Sequence, residues 1–140
     1  MDQCKIRQFK PEDKEEVIDL WNTVFKNDPR WNDPASIIHR KLAFQPELFL
    51  VGIKDGHIVA TVLGGYDGFR GWVYHLSVSP DQRRKGIGKS MMTAIEKLLI
   101  DLDCIKINLQ VRSYNSDVVA FYQSIGYSIE DHASMGKVLM

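Results

Sequence analysis

Arg83, Arg84, Lys85 and Lys89 crowd around Gly86 and Gly88 in the stretch Val78-Ser79-Pro80-Asp81-Gln82-Arg83-Arg84-Lys85-Gly86-Ile87-Gly88-Lys89-Ser90. The stretch leaves a β-type run and enters a helical pattern. The first amides of a helix have no partner within it, and the helix dipole adds partial positive charge there. Glycine lets the backbone come close to a ligand. Together these features make an anion site, most often for phosphate. The stretch is neither a Walker A loop, GxxxxGK[ST], nor a GxGxxG dinucleotide turn. The competing reading is a basic, solvated turn whose glycines serve geometry alone.

The elements that must position this turn follow from apolar spacing. Cys4 to Phe9 alternates and predicts a first strand. Pro11 to Phe25 carries Val17, Leu20, Trp21, Val24 and Phe25 on one helical face, with Glu12, Asp13, Glu15 and Glu16 near its start. Asp28-Pro29-Arg30-Trp31-Asn32 breaks the pattern. Asp33-Pro34 then reads as an N-cap followed by proline at the first helical position, opening a helix to about Phe44. Leu48 to Lys54 and His57 to Tyr66 are strands joined by Asp55-Gly56, a type I′ hairpin signal. Gly64, Gly65, Gly68 and Gly71 make the following stretch loop-like, and Trp72 to Val78 is a fourth strand. Beyond the basic turn, Ile87, Met91, Ile95, Leu98, Leu99 and Leu102 form a helical stripe. Ile105 to Val111 is a fifth strand, and a helical crossover makes it parallel to the fourth. Ser116 to Ile125 is a helix ended by Gly126, and the tail from Tyr127 supplies one or two last strands. The expectation is one mixed α/β domain over residues 1–140.

Bulk properties narrow the partners. Lys plus Arg and Asp plus Glu are both 18, so the net charge is zero, and nucleic acid or an anionic membrane is not expected as the main partner. The two cysteines, Cys4 and Cys104, are too few for a disulfide framework and lack zinc-type spacing; no metal is expected. Met1 to Lys10 is charged without an apolar core, and no run approaches the ~18 apolar residues of a membrane span. A soluble cytoplasmic protein is expected, and the sequence is compatible with a homodimer.

Two blocks carry a family resemblance. Arg83-Arg84-Lys85-Gly86-Ile87-Gly88, after Leu76-Ser77-Val78-Ser79-Pro80, resembles the Q/R-x-x-G-x-G/A signature of the GNAT superfamily of acyl-CoA N-acyltransferases. Asn115-Ser116-Asp117-Val118-Val119-Ala120-Phe121-Tyr122-Gln123-Ser124-Ile125-Gly126-Tyr127 is similar to the family's N-x-x-A-x-x-x-Y-x-x-x-G-F/Y, with Val118 where alanine is common. The motifs most resemble those of the ribosomal-protein alanine N-acetyltransferases. The resemblance covers nearly the whole chain. It implies a mixed, largely antiparallel twisted sheet, helices on both faces, and a splayed parallel pair of fourth and fifth strands. It also implies acetyl-CoA as cosubstrate and an amine as acceptor. On this reading the backbone from Arg83 through Arg84, Lys85, Gly86, Ile87 and Gly88 to Lys89 holds the coenzyme A pyrophosphate. Leu76, Ser77 and Val78 lie along the pantetheine arm, with Leu76 and Val78 pairing to it, and Asn115 binds near that arm. Arg84 stands where many members have glycine, but only its amide is needed.

An amine attacks a thioester only when neutral, and the leaving thiolate benefits from a proton. The resemblance places Tyr122 near the sulfur as that donor; the bland reading is a core aromatic beside Phe121, Ile125 and Tyr127. Glutamates used by other members fall here at Gln110 and Trp72, so both usual carboxylates are missing. His75, Asp67 and Tyr74 remain as bases, but strict alternation puts Tyr74 on the face of Trp72 and Leu76 and His75 on the other. That placement reads His75 as a satisfied core or surface histidine rather than the base, and a water chain to solvent or backbone carbonyls would also serve an α-amine. The acceptor side is expected in Arg30-Trp31-Asn32-Asp33-Pro34 and in Gly64 to Trp72, with Trp31, Asp33, Tyr66, Asp67, Arg70 and Tyr74 lining a pocket that suits a small zwitterion or a peptide end. The same residues also read as an aromatic staple, an N-cap and a glycine-rich hairpin. The rivals are a non-catalytic acyl-CoA-binding module and a nucleotide-binding domain; the missing Walker and dinucleotide patterns count against the latter.

Overall fold

The hairpin signal at Asp55-Gly56 is realised with positive φ at both residues, 52° and 78°, as a type I′ turn requires. In the computed structural model, which describes residues 4–139, the hairpin sits in a five-stranded sheet. The sheet runs in chain order: β1 (Lys5–Gln8), β2 (Phe49–Lys54), β3 (His57–Tyr66), β4 (Gly71–Val78) and β5 (Ile107–Asn108). β1 to β4 are antiparallel neighbours, and β5 lies parallel to β4. Three helices accompany the sheet: α1 (Lys14–Val24), α2 (Pro34–Ala43) and α3 (Ile87–Asp101). All belong to a first compact unit that ends at Leu109.

Alternation along the central strands distributes the helices over two faces. Val51 and Leu63 join Val17, Leu20 and Trp21 of α1 and Ile38 of α2 in one core. The adjacent residues, Gly52 and Gly64, face α3. A Cβ on Gly64 would lie 2.8 Å from Ile95, and one on Gly52 would lie 3.1 Å from the Met91 sulfur. The glycines that read as loop residues are therefore partly sheet residues: Gly64 and Gly65 lie in β3 and Gly71 opens β4. α3 packs so closely that Gly64 cannot carry a side chain without displacing Ile95. α3 buries Ile87, Met91, Met92, Ile95 and Leu99, each worth roughly 1.5–3 kcal/mol.

Local chemistry sets the helix starts. Asp33 accepts the Ser36 amide at 3.1 Å with Pro34 at the first position, the cap that the sequence predicts. α1 begins later than its apolar spacing suggests. Pro11–Asp13 forms a 3-10 turn, because the Asp13 carboxylate takes the Lys10 amide at 2.8 Å and both Arg7 nitrogens at 2.7 and 3.0 Å. That arginine holds the Asp13 carboxyl below its ordinary pKa.

The second unit begins at Gln110 and contains α4 (Ser116–Ser124). Two strand expectations change. The fifth strand, expected over Ile105–Val111, pairs only at Ile107 and Asn108. The tail from Tyr127 forms no regular element among the described residues. Its Ile129, Met135 and Leu139 are 75–91% exposed, so the apolar burial that a strand needs is missing.

Candidate active site

The basic turn is built between β4 and α3. Ser79 still reaches back to the Val59 carbonyl at 2.7 Å, and Pro80–Gln82 then make a 3-10 turn closed by Gln82 N–H to Ser79 O at 2.9 Å. Lys54 anchors this turn through Gln82 Oε1 at 2.9 Å. Arg83 folds back, its Nε donating to the Val78 carbonyl at 3.2 Å. Arg84 and Gly86 take left-handed backbones, φ 64° and 80°, and a Cβ at Gly86 would meet nothing within 4 Å. Gly86 thus provides backbone freedom on an open face. Ile87 is buried and fixes the start of α3, while Arg84, Lys85 and Lys89 remain exposed around it. The first helical bond runs from Ser90 N–H to Gly86 O, so the amides before it have no partner within the helix. Amides, dipole and cations converge on one place.

β4 carries the second feature. Thr61 pairs with Ser77 and Leu63 with Tyr74, which leaves Val62 facing two residues, His75 and Leu76. This is a β-bulge, with His75 at φ 51°. The buried Thr61 hydroxyl holds it in place, lying 2.9 Å from the His75 carbonyl, 2.8 Å from Trp21 Nε1 and 2.6 Å from Ser77 Oγ. Ser77 therefore spends its side chain inside the sheet. The ladder to β5 covers only Gly71 and Trp72, so β5 does not continue along Leu76 and Val78. That arrangement is the expected splay, and it leaves a strand edge beside the basic turn.

The bulge corrects the sequence expectation for His75. Alternation would turn His75 away from the face of Tyr74. Tyr74 stands opposite Leu63 of the α1-side core, and the extra residue brings His75 to that side as well. Its ring packs at 4.8 Å against both Trp21 and Phe25. There it closes a cleft of about 280 Å³ between the end of α1 and the 28–34 segment. Asp28, Arg30, Asn32 and Asp33 line the same cleft. His75 Nε2 lies 3.8 Å from Asp28 Oδ2, with the two side chains 13% and 20% exposed. Asn32 Nδ2 donates to the same Asp28 oxygen at 3.3 Å. Burial pushes the His75 pKa down, partly opposed by the Asp28 charge, so the imidazole is neutral at pH 7.

Of the expected acceptor residues, Asp33 lines this cleft, whereas Trp31, Tyr66, Asp67, Arg70 and Tyr74 do not. Asp67 Oδ1 accepts the Phe69 and Arg70 amides at 2.8 and 2.7 Å, and these bonds lower its pKa. Arg70 lies over the Phe69 ring at 4.1 Å. The Tyr66 backbone is clamped by the Gln45 amide at 2.8 and 2.9 Å. Tyr74, half-exposed, stacks with Trp72 at 6.5 Å. Sequence reasoning missed Asp28, Trp21 and Phe25 as cleft residues; the apolar face of α1 signalled only core packing.

In the second unit, the Asn115 carbonyl accepts the Val118 and Val119 amides at the start of α4. Tyr122 is buried beside Phe121 and Tyr127, with ring centroids 5.2 and 5.6 Å away. Burial pushes its hydroxyl pKa up to about 12. Gln110 donates to Ser134 Oγ. Among the described residues no three His, Cys, Asp or Glu side chains gather as a metal site, and no helix is long and apolar enough to cross a membrane.

Known proteins share both sequence and architecture with this chain. Residues 14–127 match the model of the acetyltransferase (GNAT) family. An acetyltransferase of Yersinia pestis is 44% identical over 136 residues, 97% of this chain and 96% of its own. An acetyltransferase of Sodalis glossinidius is 45% identical over 137 residues, with the same two shares. Among solved structures, Ard1 of Thermoplasma volcanium superposes with a TM-score of 0.78 at 26% identity, covering 91% of this chain and 84% of that one. The aminoglycoside N-acetyltransferase AAC(6')-Iy, determined with CoA, shares the fold with a TM-score of 0.80 at 14% identity, covering 100% and 97%. A glycine-bearing basic turn at a helix start, a bulged and splayed strand beside it, and relatives that match almost end to end lead to one conclusion: this chain is an acetyltransferase of the GNAT family.

Proposed function

We propose that the protein transfers the acetyl group of acetyl-CoA to a primary amine by direct attack. One observation carries this reading: β4 ends in the basic turn, and its bulge opens onto the cleft, so an anion site and an acceptor-sized cleft share one strand. Acetyl-CoA fits the residues present. Its pyrophosphate suits the amides from Arg84 to Lys89 and their exposed cations, and its amide-bearing arm suits the β4 edge at Leu76 and Val78 by strand-like pairing. Asn115 is assigned to the arm on its motif position alone.

Attack makes the C–N bond and releases sulfur with the electron pair of the C–S bond. Tyr122 donates the proton in this reading, supported by its place in the Asn115–Tyr127 block. Its hydroxyl, pushed up to about 12, stays protonated at every working pH, although so high a value makes donation less favourable than from an ordinary tyrosine.

The acceptor is a small-molecule or peptide α-amine. With glutamine at position 110 and tryptophan at position 72, deprotonation lacks a carboxylate there. An α-amine needs about 3.4 kcal/mol less help than a lysine ε-amine, since their reference pKa values differ by roughly 2.5 units. Asp28 and Asp33 attract the ammonium, and Arg30 suits an accompanying carboxylate. The motif likeness to the ribosomal-protein alanine N-acetyltransferases extends the candidates to peptide amino termini. kcat/KM for matched α- and ε-amines between pH 6 and 9 tests this assignment, and an ε-amine preference at neutral pH refutes it. The same missing carboxylates support one alternative, an acyl-CoA-binding module without turnover, which would bind acetyl-CoA and release no thiol.

A further inference from the structure

We propose that His75 accepts the proton that the acceptor amine loses as it attacks, and that Asp28 steadies the imidazolium formed. The inference rests on the reading that the cleft beside β4 takes the amine. Three independent features support it.

The first is the backbone. A bulky residue in the left-handed region costs about 1–3 kcal/mol, and such strain persists only where its surroundings enforce it. Here the Thr61 hydroxyl grips the His75 carbonyl and the ring is caught between Trp21 and Phe25. The same φ of 51° moves the imidazole from the face it would take on a regular strand into the cleft. Core packing alone does not require this placement, since an unbulged strand would leave an ordinary apolar position there.

The second is the surrounding charge. Trp21 of α1 and Phe25 just beyond it pack their rings on the imidazole, α1 adds the uncharged Asn22 to the cleft wall, and Thr61 of β3 holds the His75 backbone carbonyl. The segment across the cleft supplies Lys26, Asp28, Arg30 and Asp33. Of these, Asp28 is 3.8 Å from Nε2, a separation suited to an ion pair when the ring is protonated. Asn32 holds the Asp28 oxygen from the other side.

The third is the ring's ionisation. Neutral at pH 7, with its pKa pushed down by burial, His75 can take a proton without first losing one. The amine nitrogen uses its lone pair to bond the thioester carbon, and the C–S pair leaves on sulfur. The nitrogen is then left with one proton too many, which passes to Nε2 and afterwards to water in the cleft.

The test is the pH dependence of kcat/KM from pH 5 to 9 for wild type, His75→Gln and Asp28→Asn. The substrates are acetyl-CoA and the fastest acceptor among L-alaninamide, N-acetyl-lysinamide, spermidine and kanamycin. His75→Asn serves as a second variant, because asparagine tolerates a left-handed backbone. Amine neutralisation contributes one unit of slope to log kcat/KM, and a neutral histidine requirement adds another below its own pKa. Wild type should therefore bend to a slope of two below the His75 pKa, which burial holds under the ordinary histidine value. Both His75 variants should keep a slope of one and lose roughly 10²–10⁴-fold in rate, with acetyl-CoA affinity unchanged. Asp28→Asn should move the bend to lower pH. A wild-type slope and rate in either folded His75 variant overturns the proposal and leaves acetyl transfer standing. No acetylation of any of the four amines counts against the transfer reading itself, and His75 falls with it.

Discussion

Thr61→Val removes one oxygen atom from the centre of the first unit. Thr61 is fully buried, and its hydroxyl has three neighbours: the His75 carbonyl, Trp21 Nε1 and Ser77 Oγ. The indole can only donate and the carbonyl can only accept. The single Thr61 proton must therefore go to His75 O, and Ser77 must donate to Thr61. Valine fills the space but leaves the Trp21 N–H and the His75 carbonyl without this partner. Each buried polar group so stranded costs about 1–3 kcal/mol. The Ser77 hydroxyl can turn to the carbonyl and relieve one, so the net loss should be about 1–3 kcal/mol. Thr61→Ser keeps the oxygen and loses one methyl, worth about 0.8 kcal/mol. Urea unfolding followed by tryptophan fluorescence reads both. At a slope of about 2 kcal/mol/M, the valine midpoint should fall by about 0.5–1.5 M and the serine midpoint by about 0.4 M. Acetyl-CoA binding should weaken in the valine variant, since the bulge beside Leu76 loses its anchor. A valine variant within 0.5 kcal/mol of wild type, or less damaged than the serine variant, would refute the claim that this hydroxyl holds the bulge.

Three further outcomes are expected. Gly86→Val forces a β-branched residue to φ 80° and covers an open face, so calorimetry should show acetyl-CoA affinity falling at least about tenfold while circular dichroism is unchanged; unaltered affinity would remove the turn as the pyrophosphate site. Tyr122→Phe should lower turnover about 10²–10⁴-fold with coenzyme affinity retained, and wild-type turnover with chemistry rate-limiting would leave Tyr122 as a packing residue. Asp13→Asn should destabilise by about 1–3 kcal/mol at pH 7. Arg7 depresses the folded pKa of Asp13, so its contribution is full above the unfolded value near 3.9 and is lost as pH falls through the folded one. The wild-type advantage in thermal melts should therefore shrink below pH 4, and an advantage independent of pH contradicts the ion-pair account.

Features governed by neighbours in sequence were legible from it. Asp55-Gly56 needs only two positive φ angles, Asp33 only the amide of Ser36, and the 83–89 turn only a helix start after a strand. Features governed by partners across the sheet were not. The His75 bulge depends on Thr61 and Val62, fourteen and thirteen residues earlier in the chain, and nothing local announces it. Of the cleft, the 30–34 wall was expected at the acceptor side, but its His75 wall was missed, because alternation assigned His75 to the wrong face. Gly64 and Gly71 read as loop glycines because what crowds them, Ile95 of α3 for the one and the Cys104 sulfur beyond α3 for the other, is remote in sequence. Ile105–Val111 and the tail from Tyr127 have strand-like composition, but a strand also needs a partner ladder, which the former finds at only two residues.

The most direct test of the account incubates the protein with acetyl-CoA and matched α- and ε-amines, measuring free thiol and acetylated amine by mass spectrometry in the same sample. The account predicts stoichiometric release of CoA thiol and N-acetyl product, faster with the α-amine at neutral pH, and abolished when Gly86→Val prevents coenzyme binding. Tight acetyl-CoA binding with no thiol released for any amine would contradict it and establish the acyl-CoA-binding module instead.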